Sequence, residues 1–532
     1  MERDPLLPSC PRPTQDIGWC YLLPIPGIPC PILLFKSLKK AMPVSYDIVV
    51  IGAGAAGLVV ASAAAQLKAK VLLVEGSDRL GGDCLWYGCV PSKALLHVAH
   101  TVHRIRQAMA AGWVTLPGPA GISVDYLKVY EHIRSAQSYI ANHADSPDRF
   151  RQLGVELVFA KGHFVDGRTF EVAGRQVQAR AFVIATGSRP WVPPLPGLAE
   201  AGYLTNESIF DLTRLPKSVA VIGAGPVGCE LSQALARLGS EVTLIASRER
   251  ILPKEDPEAA QVVQQQLTQD GIRILTRVRA TAVGQEQGAK LLSLKANSGA
   301  GTAAAGDQVI RAEEILVAAG RIPNVEGLGL EAAGVQYTPQ GIQVNAKLQT
   351  RNPRIYACGD VIGGPQFTHV AAYEGAVALV NALFFPLSQA RYRVIPWAIF
   401  TEPELARVGL TESEARQQYG KDVVVLKQEF ADVDRAQAEA APLGFAKLIC
   451  RRNGQILGAH LVGSQAGELI HEVVLAMSRR LPVSALTGIH IYPTRSEVNA
   501  KAALQHRRQQ LATNPRLQNF LQGFFAWRRA WS

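Results

Sequence analysis

The chain has 532 residues, too many for one hydrophobic core, so about three domains are expected. Its 48% apolar and 19% charged residues give an ordinary globular balance, and the formal charge of +11 suits anionic partners such as a nicotinamide dinucleotide. Eight cysteines in this length do not make a disulfide-stapled scaffold, no run of ~18 apolar residues offers a membrane-spanning helix, and the positive charge follows no nucleic-acid motif.

Residues 1–41 are read as an extension outside the fold. Their apolar stretch Tyr21 to Phe35 is broken by Pro24, Pro26, Pro29 and Pro31, and it follows the acidic Glu2 and Asp4 rather than a basic start. Met42, just ahead of the first strand, is an alternative start. From Tyr46 the chain reads strand, glycine turn, helix, strand: YDIVVIG, AGAAGLVVASAAAQLKA, KVLLVEG. Gly52, Gly54 and Gly57 form G-x-G-x-x-G after the strand, and Glu75 ends the next strand. Such glycines allow a tight turn and close backbone approach, the helix N-terminus meets a pyrophosphate, and the acid takes a ribose hydroxyl. Glycines kept for packing alone are the bland alternative.

Next comes GGDCLWYGCVPSK, Gly81 to Lys93. Cys84 and Cys89 cannot bond across a regular helix, because bridged cysteines need Cα atoms ~4.4–6.8 Å apart. A distorted first turn, helped by Gly88, would bring them together. Two buried structural cysteines could share this spacing, but so soon after a dinucleotide fingerprint the pair reads as redox-active. A helical region is expected over roughly 94–153, then strands ending in AFVIATG and a Pro-rich hinge, PWVPPLPG.

At Ser218 the pattern repeats as SVAVIG, AGPVGCELSQALARLG, SEVTLIAS, with Gly223, Gly225 and Gly228. Two such units mean two dinucleotide sites. The second strand ends in Ser247, not an acid, and Arg248 and Arg250 follow. That favours a 2′-phosphate, so NADPH is preferred with NADH as the alternative, unless the arginines are simply a solvated loop. The unit closes with EEILVAAGRIPN. Strands resume at IYACGD, Ile355 to Asp360, a helix is expected from His369 to Leu383, and from Arg391 the glycine fingerprints stop.

The Gly81–Lys93 segment resembles the active-site signature of the pyridine nucleotide-disulfide oxidoreductases, the family of dihydrolipoamide dehydrogenase, glutathione reductase and mercuric reductase; the likeness covers about 46–500. The resemblance implies an α/β fold with two Rossmann-like domains, for FAD and NAD(P), plus a C-terminal α+β dimerisation domain and hence a homodimer. The corresponding ranges are 42–195 with 325–390 for FAD, 196–324 for NAD(P)H, 391–500 for dimerisation and 501–532 for a basic tail. It further implies that Cys89 contacts the flavin, Cys84 attacks the substrate, and Lys93 pairs with Glu230. The FAD residues implied are Gly52, Gly54, Gly57, Glu75, Gly82, Lys93, Thr186, Gly187, Gly359 and Asp360. Those for NADP are Gly223, Gly225, Gly228, Glu230, Ser247, Arg248 and Gly320. The implied relay runs from NADPH through FAD and the Cys84–Cys89 disulfide to an acceptor.

Where disulfide reductases of this family carry His-Pro-Thr, this chain reads His490-Ile491-Tyr492-Pro493-Thr494, with Glu497 following. His accepts a thiol proton near neutrality, whereas Tyr, with an ordinary pKa of about 10, mostly donates. His490, two positions before Tyr492, would share its face in an extended segment. Tyr at this place is similar to mercuric reductases, but no cysteine follows Cys450 and Cys10, Cys20 and Cys30 form no CxxC, so no resident metal site is expected. The expected acceptor is a disulfide or a thiophilic ion such as Hg(II). The alternatives are a membrane-associated quinone reductase and a dihydrolipoamide dehydrogenase-type component of a larger complex. The tail carries Lys501, Arg507, Arg508, Arg516, Arg528 and Arg529 without an acid, and aromatic residues at helical spacing. It suits either a membrane surface or packing on its own dimer, so the expected location is cytoplasmic, peripheral to a membrane if the tail binds one.

Overall fold

The computed structural model describes residues 46–115, 122–297 and 308–531; the extension over 1–41 lies outside them. Strand Tyr46–Ile51 pairs in parallel with Val71–Glu75 on one side and with the second half of Arg175–Ile184 on the other. Val155–Phe159 extends the sheet beyond Val71–Glu75, and Ile355–Ala357 returns from far along the chain to lie beside Arg175–Ile184. Both faces are covered, which is why these strands are continuous apolar runs rather than alternating ones. Helices Ala55–Gln66 and Thr368–Leu383 pack on one face, in contact at Gly375, where a Cβ would lie 2.9 Å from the carbonyl oxygen of Ala56.

The second unit repeats the plan. Ser218–Ile222 is central, flanked in parallel by Glu241–Ile245 and Glu314–Val317, with Arg273–Leu275 outermost. Helix Pro226–Leu238 begins with proline, where the missing N–H has no intrahelical partner to lose. It is buried on most sides because the helix Cys89–Ala110 runs along it. An antiparallel ribbon of Val278–Glu286, Ala289–Ala296 and Gln308–Ala312 completes the unit. The helical region expected over 94–153 is three helices, Cys89–Ala110, Tyr126–Asn142 and Pro147–Gln152, the latter two N-capped by Asp125 and Ser146.

Past Arg391 the chain forms a five-stranded antiparallel sheet in the order Pro396–Ile399, Glu404–Gly409, Ile456–Gly463, Phe445–Arg451, Val423–Glu429. Helices Ala466–Ser478 and Glu497–Ala512 pack against it. A buried cation joins the three parts. Arg237, 2% exposed, donates from Nε to Asp270 at 2.9 Å and from Nη1 to Glu402 at 2.6 Å, with His100 of the Cys89–Ala110 helix 2.9 Å away. Beyond Thr513, Asn514 caps a last helix, Pro515–Ala530, none of whose residues is buried.

Candidate active site at a helix break

Cys84 lies on a short helix, Gly82–Trp86; the chain breaks at Tyr87 and Gly88; Cys89 opens the helix Cys89–Ala110. The sequence suggested a distorted first turn helped by Gly88, and the structure has two helices, Gly82–Trp86 and Cys89–Ala110, separated by Tyr87 and Gly88. Gly88 makes that break close. A Cβ there would stand 3.0 Å from the Asp83 carbonyl oxygen and 3.3 Å from Cys84 Cα, so a larger residue would push the second cysteine away from the first.

The two thiols are hydrogen-bonded to each other and have opposite tendencies. The bond from Cys84, with help from Thr368 and the Lys93 charge, brings the Cys89 thiol down to about 6 against burial and the Asp83 charge. The bond to Cys89 and burial push Cys84 up. Cys89 is also the first residue of a 22-residue helix, where unpaired N–H groups favour an anion. Its Sγ lies 3.2 Å from Thr368 Oγ1. Lys93, one helical turn on, places Nζ 2.7 Å from Glu230 Oε2 and 4.4 Å above the Phe400 ring. The other oxygen of buried Glu230 accepts the Phe400 N–H at 2.9 Å, so this carboxylate is satisfied from two domains.

Beside the cysteines lies the first glycine loop. A Cβ on Gly52 would meet the Ala185 carbonyl oxygen at 2.4 Å, one on Gly57 the Gly52 oxygen at 1.8 Å, and one on Gly82 the Gly54 Cα at 2.7 Å. The loop is thus pressed against the start of the cysteine-bearing helix, leaving a backbone-lined cradle. Glu75 accepts the Ala53 N–H at 2.7 Å and the Ser77 N–H at 2.8 Å, which fixes its carboxylate at the end of the strand facing that loop. The bare backbone at Gly54 and the anchored acid fit a dinucleotide with a ribose and a pyrophosphate, the shape of FAD. Asp360 accepts the Ser188 hydroxyl at 2.6 Å, and Glu374 accepts the Gly359 N–H at 2.7 Å, so the Cys358–Asp360 turn is held from two sides. The Thr186 hydroxyl donates to the Asn324 carbonyl at 2.8 Å, which gives it a bracing role between segments, and Gly187 turns at φ +69.

The second loop has the same first and third contacts, with Cβ positions 2.3 Å from the Ala318 oxygen for Gly223 and 1.9 Å from the Gly223 oxygen for Gly228, but nothing stands within 4 Å of Gly225. Ser247 and Arg248 are exposed at its rim. Arg250 is taken up by the carbonyls of Leu252, Pro253 and Glu255, so of the two arginines only Arg248 faces the rim. Arg277 joins it there: its N–H donates to the Arg248 carbonyl at 2.8 Å, and its guanidinium lies 3.3 Å from Glu249. Gly320, at φ +136, has open space at its Cβ position.

Tyr492 is 68% exposed, and its hydroxyl donates to Asp434 at 3.0 Å, which holds the phenol above its ordinary value. Glu497 accepts the Thr494 N–H at 3.3 Å. His490 does not share the face of Tyr492, contrary to the extended-segment expectation. The segment is not a strand, and the imidazole turns inward to Glu472 at 2.9 Å and the Gly488 carbonyl at 2.8 Å. Both its nitrogens are therefore engaged within the protein. Ile489 and Ile491 are exposed beside Tyr492. Sequence reasoning missed Arg321, which donates to Ser188 Oγ at 2.7 Å and pairs with Asp83, next to Cys84, at 3.0 Å. It missed Thr368, Glu374 and Phe400 as well: Thr368 reaches Cys89 from a distant segment, Glu374 ties down the Gly359 turn from the following helix, and Phe400 meets Glu230 and Lys93 from beyond Arg391. Among the described residues no cluster of His, Cys, Asp and Glu is placed to hold a metal ion.

The chain matches known proteins over most of its length. The pattern of the pyridine nucleotide-disulphide oxidoreductases matches residues 46–375, and that of the family's dimerisation domain matches 395–503. The chain is 36% identical to a mercuric reductase of Staphylococcus aureus, over 83% of this chain and 79% of that one. It is 38% identical to a dihydrolipoyl dehydrogenase of Thermus scotoductus, over 86% of this chain and 97% of that one. Among solved structures it resembles the Cu(II) complex of the HOCl-induced flavoprotein disulfide reductase RclA from Escherichia coli, with a TM-score of 0.74, 25% identity and coverage of 86% and 99%.

Proposed function

The chain belongs to the pyridine nucleotide-disulphide oxidoreductase family and is an enzyme using FAD and NAD(P)H, and from this premise we propose that it carries electrons from NADPH through Cys84 and Cys89 to a disulfide or a thiophilic metal ion such as Hg(II). The observation that carries the reading is the helix break, which sets a thiolate-forming Cys89 against a protonated Cys84. FAD, when bound, supplies the two-electron step between nicotinamide and dithiol. Gly52, Gly54, Gly57, Gly82 and Glu75 would hold it, together with Asp360 and Gly359. Lys93, fixed by Glu230, sets a positive charge near the Cys89 sulfur. Cys84, the less acidic thiol, gives up its proton as it attacks the acceptor. For a disulfide, the pair is oxidised to Cys84–Cys89 and the acceptor leaves as one thiol and one thiolate; for Hg(II), two electrons reduce the ion and the one proton held by Cys84 is released.

Tyr492 favours the metal ion over lipoamide. Its phenol, held protonated by Asp434, is a poor base for a dithiol substrate. Mercuric reductase and the Cu(II)-bound reductase are both among the similar proteins. Arg248 and Arg277, at a rim where Ser247 replaces an acid, support NADPH over NADH. Anaerobic titration with NADPH, then with Hg(II), disulfides and quinones, tests the proposal. A long-wavelength thiolate–flavin absorbance after two electrons, missing in Cys89→Ser and discharged by Hg(II) or a disulfide, is the expected result. Discharge by quinones alone, without that absorbance, would remove the cysteines from the electron path.

A further inference from the structure

The last helix, Pro515–Ala530, has no described function in the electron path and no buried residue. Its aromatic side chains form one continuous face: Phe520 and Phe524 stack with centroids 6.4 Å apart, Phe524 and Trp527 meet at 6.1 Å, and Trp527 and Trp531 at 5.6 Å. Phe520 is 67% exposed, Trp527 57% and Trp531 79%. An apolar ladder of this size open to water marks a surface that binds something. The helix is not a loose end. Asn514 caps its first turn, and Gln518 donates to the carbonyls of Leu511 and Ala512, so the ladder is held at a set angle to the preceding helix.

Charge selects among occupants. From Val498 to Ser532 the chain has no acid and carries Lys501, Arg507, Arg508, Arg516, Arg528 and Arg529. The same segment of a second copy carries the same unbalanced positive charge and repels it, whereas an anionic lipid headgroup attracts it. Tryptophan and phenylalanine suit the boundary between headgroup and acyl chain, and arginine reaches from that depth back to phosphate. No described helix is long and apolar enough to cross a membrane, and this one, 16 residues long, is about 24 Å end to end, a length suited to lying in the interface plane.

We propose that Pro515–Ala530, with the Trp531 that follows it, docks the enzyme on the surface of an anionic phospholipid bilayer through the Phe520–Phe524–Trp527–Trp531 face. The inference does not depend on which acceptor is reduced. The test is flotation of the full-length, flavin-loaded protein with phosphatidylcholine vesicles, with and without phosphatidylglycerol. Binding only to the phosphatidylglycerol vesicles is expected, weakened about tenfold or more in F520A/F524A/W527A and by high salt, with soluble-acceptor turnover unchanged. A blue shift in tryptophan emission on adding these vesicles, lost in W527F/W531F, gives a second readout that leaves the helix intact. Absence of wild-type binding overturns the proposal. So does equal binding by wild type and F520A/F524A/W527A, which would mark mere charge adsorption, and so does a fall of that variant from dimer to monomer without lipid, which would make a second copy the occupant.

Discussion

The two glycine loops are alike at their first and third glycines and differ at the second. Gly52 and Gly223 both sit under a carbonyl of a neighbouring strand end, and Gly57 and Gly228 both press on the first glycine's oxygen. Around the middle glycine the surroundings part: Gly54 faces Gly82 of the cysteine-bearing helix, whereas Gly225 faces open space. The acids part as well, with Glu75 bonded back to its loop and Ser247 exposed. One loop is roofed and suits a group that stays; the other is open and suits one that comes and goes. The same short motif therefore serves a resident and a visitor, and what lies above it decides which.

The largest expected effects come from the third glycines. Gly57→Ala puts a Cβ 1.8 Å from a carbonyl oxygen inside the roofed unit, and the chain is expected to purify without flavin; Gly228→Ala, with 1.9 Å, should keep its flavin and lose about a hundredfold in reduction by NADPH. Flavin absorbance per chain and stopped-flow reduction separate the two, and equal loss of flavin in both would break the comparison. Next come the acid positions. Glu75→Gln weakens two charge-assisted bonds to backbone N–H groups, about 1.5–3 kcal/mol, or about ten- to a hundredfold in FAD affinity by apoprotein reconstitution. Ser247→Glu, at the open rim, should leave flavin alone and move kcat/KM toward NADH by about tenfold or more.

The roofed site also holds charge. In the reduced protein, thiolate absorbance from Cys89 is expected above about pH 6 and lost below it. A thiol lowered on folding adds stability above its unfolded value, and that contribution disappears as pH falls through about 6. Lys93→Met removes a favourable charge and should raise the midpoint by about one unit in a pH titration of that absorbance. The smallest effect belongs to Gly225→Ala. With nothing near its Cβ, stability by thermal denaturation should change by less than about 0.5 kcal/mol, while KM for NADPH rises as the methyl meets the phosphates.

What was legible in the sequence was local. The two fingerprints, their strands and helices, and the cysteine segment each lie within about thirty residues, where periodicity and glycine spacing are direct records of backbone geometry. The distortion between the cysteines could be placed at Gly88 from sequence, but its extent could not, because the approach of Gly88 to Asp83 and Cys84 is a contact and not a pattern. Arg321 was invisible for the same reason: its partner Asp83 lies in a distant segment. His490 looked available because extended spacing pointed it toward Tyr492; Glu472, eighteen residues earlier, pulls it inward.

The strand Ile355–Ala357 closes a sheet begun at Tyr46, with the whole second unit made in between. The ribosome therefore delivers the final piece of the flavin platform, including Gly359, Asp360 and the Glu374 that anchors their turn, only after the nicotinamide unit has been synthesised. A nascent chain that has not reached Ile355 can fold its later-made unit first and must hold the earlier one unfinished.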